Sequence, residues 1–90
     1  MNTEVKTEFI TIQDKRYYVS TVDTFDVGFE TMVFPASDSA RVIERLWDSI
    51  VTGVDFNKPL DEYTRHYETE SQAKKGHKEI VKLLKGLNSQ

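Results

Sequence analysis

The 90-residue sequence contains no cysteine, only two prolines and only four glycines. Without a thiol there is no disulfide framework, no thiolate zinc site and no cysteine nucleophile, which fits a reducing, cytoplasmic compartment. No stretch approaches the ~20 consecutive apolar residues of a membrane span. Met1-Asn2-Thr3-Glu4-Val5-Lys6 has neither the basic start nor the apolar run of a signal peptide, so no membrane partner is expected. Also missing are internal repeats, low-complexity tracts, a glycine-rich phosphate loop and a Gly-x-Ser-x-Gly nucleophile elbow.

What is present is ordinary globular material, 38% hydrophobic and 30% charged. A chain this short buries only about 60 to 65% of its unfolded surface, so residues 1–90 are read as one domain with one core. Charge is uneven along it. Residues 1–70 hold 14 acidic and 7 basic side chains, net −7, whereas 71–90 hold 1 and 5, net +4.

Val5 to Ile12 and Tyr17 to Val22 read as a hairpin. With Asp14-Lys15 as the turn, Ile12 faces Tyr17 and Ile10 faces Val19. All four then share one sheet face, with Phe9 and Tyr18 on the other. After the turn-forming Asp23 to Gly28, Phe29 to Phe34 is a third strand, which Pro35 is expected to stop. Ile43, Leu46, Trp47, Ile50 and Val51 recur at helical spacing, so residues ~39–52 are expected to form an amphipathic helix ended by Gly53. Leu60 to Glu68 is read as a short edge strand with Tyr63 and Tyr67 on one face.

The last helix has the clearest local signals. Thr69 and Gln72 form a capping box, Glu68 and Glu70 suit the positive end of the helix dipole, and Gly86 sits where a C-terminal cap belongs. Ala73, Gly76, His77, Ile80, Leu83, Leu84 and Leu87 mark its apolar face. Lys74, Lys78, Lys82 and Lys85, with Lys75 beside them, mark the opposite one.

The expected fold is therefore α+β: an antiparallel sheet of three or four strands with two helices on one face, in the order β-β-β-α-β-α. Its expected core is Ile10, Ile12, Tyr17, Val19, Met32, Phe34, Ile43, Leu46, Trp47, Ile50, Ile80, Leu83 and Leu84.

Two segments, Phe29-Glu30-Thr31-Met32-Val33-Phe34 and the run from Arg65 to His77, resemble a group of small uncharacterised proteins encoded by bacteriophages and prophages. In that group a Glu-Thr-Met-Val-Phe strand is followed by Arg-Tyr, a Thr/Ser-Glu helix start and Ala-x-x-Gly-His. This chain departs from it by His66 between Arg65 and Tyr67, and by Ser71-Gln72 where consecutive acids are commoner. The resemblance implies a phage or prophage origin and supplies no catalytic or binding residue.

Glycine inside a helix costs about 1 kcal/mol relative to alanine, so Gly76 needs a reason. One reason is close helix–sheet packing, with His77 facing the sheet and hydrogen-bonding a tyrosine or carboxylate; the other is contact with a ligand. Packing is the plainer. A metal would need His66 and His77 together with carboxylates such as Glu62 or Glu70, and their spacing matches no metal motif. No catalytic set stands out and no cofactor is expected.

The five lysines, Lys74, Lys75, Lys78, Lys82 and Lys85, are the one electrostatic feature that offers an interaction surface. Nucleic acid is disfavoured as its partner by the sequence pI near 5.3 and by the absence of arginine from the patch. The expected function is a small phage-type accessory protein, not an enzyme, that binds a host or phage protein in the host cytoplasm. Nucleic-acid binding through the lysine face is the alternative. Self-association as a homodimer is expected as well, through Phe9, Tyr18 and Val33 on the uncovered sheet face.

Overall fold

A computed structural model describes residues 3–89. The strands are β1 (Thr3–Ile12), β2 (Lys15–Asp23), β3 (Phe29–Glu44), β4 (Ser49–Val54) and β5 (Arg65–Tyr67), and one helix, α1 (Glu70–Gly86), follows them. Short 3-10 turns lie at Asp61–Tyr63 and Leu87–Ser89. The strands form one antiparallel sheet in the order β1-β2-β3-β4, with β5 added to the N-terminal part of β3. The α+β class is as expected, but one helix covers the sheet and not two.

The β1–β2 hairpin turns one residue earlier than expected, on Gln13-Asp14. Both residues have positive φ, 50° and 68°, as a two-residue turn needs to match strand twist. Ile10 therefore pairs with Tyr17 and Ile12 with Lys15. Moving the turn by one residue shifts partners by two, so Ile10, Ile12, Tyr17 and Val19 still share a face. The turn is tied to the end of the chain: the Gln13 amide donates to the Asn88 side chain at 2.8 Å, and the Gln13 side chain donates to the Leu87 carbonyl at 3.0 Å.

Pro35 does not stop β3. It pairs with Tyr17, while its carbonyl turns away from β2 to accept the Asp55 amide at 2.9 Å. In an antiparallel strand N–H and C=O of one residue point the same way, so the missing N–H also faces away from the β2 ladder, which loses nothing.

The expected helix over 39–52 is instead the second half of β3, a turn at Leu46-Trp47, and β4. Val42 pairs with Val51 and Ile43 with Ile50. These β-branched pairs stack across the ladder, and that gain outweighs a helical spacing shared with two large residues at the tip. Leu46 and Trp47 are 86% and 91% exposed, so they leave the expected core, as does Ile50. Between Ala36 and Arg41 the register slips, and the bulged residues are held by Arg16, whose Nη1 donates to the Asp38 carbonyl at 3.1 Å and the Ala40 carbonyl at 2.5 Å. Gly53 ends no helix: at φ +78° it packs under this bulge, where a Cβ would lie 2.8 Å from the Ala40 Cα.

Val19 pairs with Val33, so Thr31 and Val33 face α1, while Met32 and Phe34 lie on the opposite face. The β2–β3 loop sets this phase. Thr31-Met32-Val33-Phe34 offers apolar residues in either phase, and the expected one was off by a residue. The core is Ile10, Ile12, Val19, Val33, Ile80, Val81 and Leu84, with Tyr17, Leu60, Tyr63 and Leu87 packed at its margin. Leu83 is exposed and Val81 takes the expected place.

On the far face, Phe9 and Tyr18 meet in a tilted pair at 5.0 Å, Phe56 meets Tyr18 at 6.2 Å and Phe34 at 5.0 Å, and Arg16 lies 4.3 Å over Phe9. Tyr18 and Phe34 are buried by this cluster. The face through which self-association was expected is thus largely closed: Val33 is on the helix side and Tyr18 is covered.

In α1 the capping box is present in full: Gln72 N–H donates to the Thr69 hydroxyl, and the Gln72 side chain accepts the Thr69 amide. Gly86 is the last helical residue but not a left-handed cap, since Leu87 stays right-handed at φ −67° and leads into the 3-10 turn. Gly76 is buried against Tyr67 of β5, and a methyl there would land on the Tyr67 ring and hydroxyl. Gly76→Leu is expected to destabilise the fold by about 1–3 kcal/mol, read by thermal unfolding. Tyr67→Ala should recover part of that loss in the double variant, and additive losses would place the steric conflict elsewhere.

Candidate functional site

His77 is fully buried at the centre of the α1–sheet contact. Its Nδ1 lies 2.7 Å from the Thr21 hydroxyl of β2, and its Nε2 lies 2.8 Å from a Glu8 carboxylate oxygen of β1. Thr21 in turn meets the Thr31 hydroxyl of β3 at 2.5 Å. One proton arrangement satisfies every member with a neutral ring: Nε2–H donates to Glu8, Thr21 donates to Nδ1, and Thr31 donates to Thr21. One side chain of the helix is thereby bonded through three successive strands.

An acid, an imidazole and a hydroxyl in this order have the connectivity of a nucleophilic triad. Thr21 and Thr31 are both 0% exposed, however, so no substrate reaches the hydroxyl, and Thr21 is already engaged by Thr31. What the arrangement can do is orient the helix. Burial lowers the His77 pKa below its ordinary value, opposed by the hydrogen bond and charge of Glu8 and reinforced weakly by Lys6.

The other expected site residues lie apart. His66 of β5 is exposed and sits 3.5 Å from Glu30. With His77 committed to Glu8 and Thr21, the four groups considered for a metal do not converge, and among the described residues no cluster of three or more histidines or carboxylates is placed to hold one. The five lysines are all exposed on the outer side of α1. Lys74 pairs with Glu70 at 3.6 Å, one helical turn away. Lys78, Lys82 and Lys85 meet Lys6 of β1 along an open groove of about 390 Å³, with Glu8 and Val81 in its lining. Lys75 lies on the other side, in a groove with His66, Glu68 and Glu79. No helix among the described residues is long and apolar enough to cross a membrane.

Among the described residues the most exposed large hydrophobic side chains are Trp47 and Leu46, followed by Val27 and Phe25 of the β2–β3 loop. Sequence reasoning placed Leu46 and Trp47 in the core. Glu8, Thr21 and Thr31 were not singled out, although threonines at inward positions of two adjacent strands, opposite a histidine on an apolar helix face, are the pattern such a network leaves in a sequence.

No family model matches the chain, and neither the curated proteins nor the solved structures searched contain a significant match.

A buried histidine with a lowered pKa makes stability pH-dependent. The unfolded chain takes up a proton near pH 6.5, while the folded chain holds His77 neutral to lower pH. Its contribution is therefore full above pH ~6.5 and declines as the pH falls below that value. The melting temperature is expected to fall between neutral pH and pH ~5, with a shallower slope in His77→Gln. At neutral pH, His77→Gln should cost about 1–3 kcal/mol through unpaired buried groups.

Proposed function

We propose that this protein is a small accessory binding protein that works through protein–protein contact and performs no chemistry of its own, with the β3–β4 arm as its contact element. The supporting observation is the tip of that arm, where Leu46 and the sole tryptophan, Trp47, stand 86% and 91% exposed. Tryptophan is among the residues that most often dominate binding energy at protein interfaces, and large apolar side chains held out on a projecting element are characteristic of such sites. The resemblance in the Glu30-Thr31-Met32-Val33-Phe34 and Arg65 to His77 segments makes the partner, in this reading, a host or phage protein in the host cytoplasm.

The second reading, nucleic-acid binding, draws on Lys6 joining Lys78, Lys82 and Lys85 around one groove. Against it stand Glu8 in the same groove and the net −7 of residues 1–70.

Capture from bacterial host lysate separates the two. Immobilised protein is expected to retain specific host proteins that Leu46→Ser/Trp47→Ser loses and that a variant with Lys74, Lys75, Lys78, Lys82 and Lys85 changed to Gln keeps. In fluorescence anisotropy with labelled DNA and RNA, no submicromolar binding is expected at physiological salt. Tight binding abolished by the lysine changes would replace the first reading with the second.

A further inference from the structure

We infer that the free edge of β4 pairs with β4 of a second copy of this chain, antiparallel and centred on Val51, so that two arms form one four-stranded sheet. This rests on the reading of the arm as the contact element and concerns the free protein, in which no other partner covers the strand edge.

Beyond Ala36, β3 parts from β2, and Arg41–Glu44 pair only with Ser49–Thr52. A lone two-stranded hairpin is marginal in water, and three or more strands are needed for independent stability. The bond from the Arg45 amide to the Asp48 carbonyl fixes the alternation of the ladder. Ile50 and Thr52 turn their backbone groups toward β3, so Ser49 and Val51 present N–H and C=O outward.

The two ends of the sheet are built differently. β1, the opposite edge, carries Glu4, Lys6 and Glu8 and an irregularity between Glu4 and Lys6. Such charges and bulges keep an edge from pairing. β4 reads Ser-Ile-Val-Thr-Gly-Val and has no charge, no proline and high β propensity.

A second copy suits this edge for three reasons. An antiparallel strand meets itself about a two-fold axis with the same outward groups on both sides. The arm's charges, Arg41 and Arg45 against Glu44 and Asp48, cancel, so two arms do not repel although the chain carries −3. Centring on Val51 sets Ser49 of one β4 opposite Gly53 of the other, so the Leu46-Trp47 tip of each arm extends past the end of its partner's β4. Leu46, Trp47 and Ile50, exposed at the tip and along β4, are apolar side chains that pairing of two arms would help to cover.

The test is sedimentation of the full chain from about 1 to about 500 μM, followed in parallel by emission of Trp47, the only tryptophan. A monomer–dimer equilibrium is expected, with emission shifting to the blue over the same concentration range. Trp47→Ser, a change at an exposed site, and Val51→Pro, which deletes an outward N–H, should each weaken the dimer at least about tenfold. A monomer at every concentration overturns the inference, as does a dimer in which Trp47 emission stays water-exposed or in which Val51→Pro has no effect. Host-protein capture lost on Leu46→Ser/Trp47→Ser, with the free chain monomeric at every concentration, would overturn the second copy and keep the functional reading. A dimer whose arm variants still retain the same host proteins would keep the pairing and overturn the functional reading.

Discussion

His77 holds the helix to the sheet at one rotation and one height. Its two ring nitrogens reach Glu8 on one side and Thr21 on the other, and Thr31 completes the chain across three strands. A purely apolar contact would tolerate sliding by a turn. A buried imidazole does not, because any other position leaves buried polar groups without partners. With His77 placed, Gly76 must lie against Tyr67, Ile80 and Leu84 must enter the core, and the inward phase of β3 must present Thr31 and Val33.

The second constraint is that a single helix of 17 residues covers only part of a five-stranded sheet. The far face is closed by its own aromatics, with Phe56 reaching back from the segment after β4 to cover Tyr18 and Phe34. Among the described residues nothing of that kind protects the outer half of β3 and β4. The arm is anchored at its base by Arg16 and by the close packing of Gly53 under the bulge, and it extends from there as two strands with an apolar tip.

These two features divide the molecule by role. The His77 ring and the Thr21 and Thr31 hydroxyls are closed to solvent and serve the fold, whereas the arm is open and carries an exposed apolar tip. The lysine side of α1 is a third surface, but it is interrupted: Lys74 is paired with Glu70, Lys75 faces a different groove, and Glu8 lies among the remaining lysines. The strongest case for contact therefore sits on the arm and not on the helix face that the charge pattern pointed to.

Local signals were sufficient wherever a short segment carried its own reason. The Thr69–Gln72 capping box, the apolar face around Ile80 and Leu84, the shared face of Ile10, Ile12, Tyr17 and Val19, and the packing role of Gly76 all follow from spacing and backbone chemistry within a few residues. Tertiary structure alone decided the rest. Residues 39–52 carry helical and strand periodicities at once, and the Val42–Val51 and Ile43–Ile50 pairs chose the strand because β3 already runs into them from its pairing with β2. Met32 and Val33 are equally apolar, so the side that β3 turns to the core was settled by its register with β2. Glu8, Thr21, Thr31 and His77 lie far apart in sequence and become a site only because three strands and a helix bring them within hydrogen-bond distance.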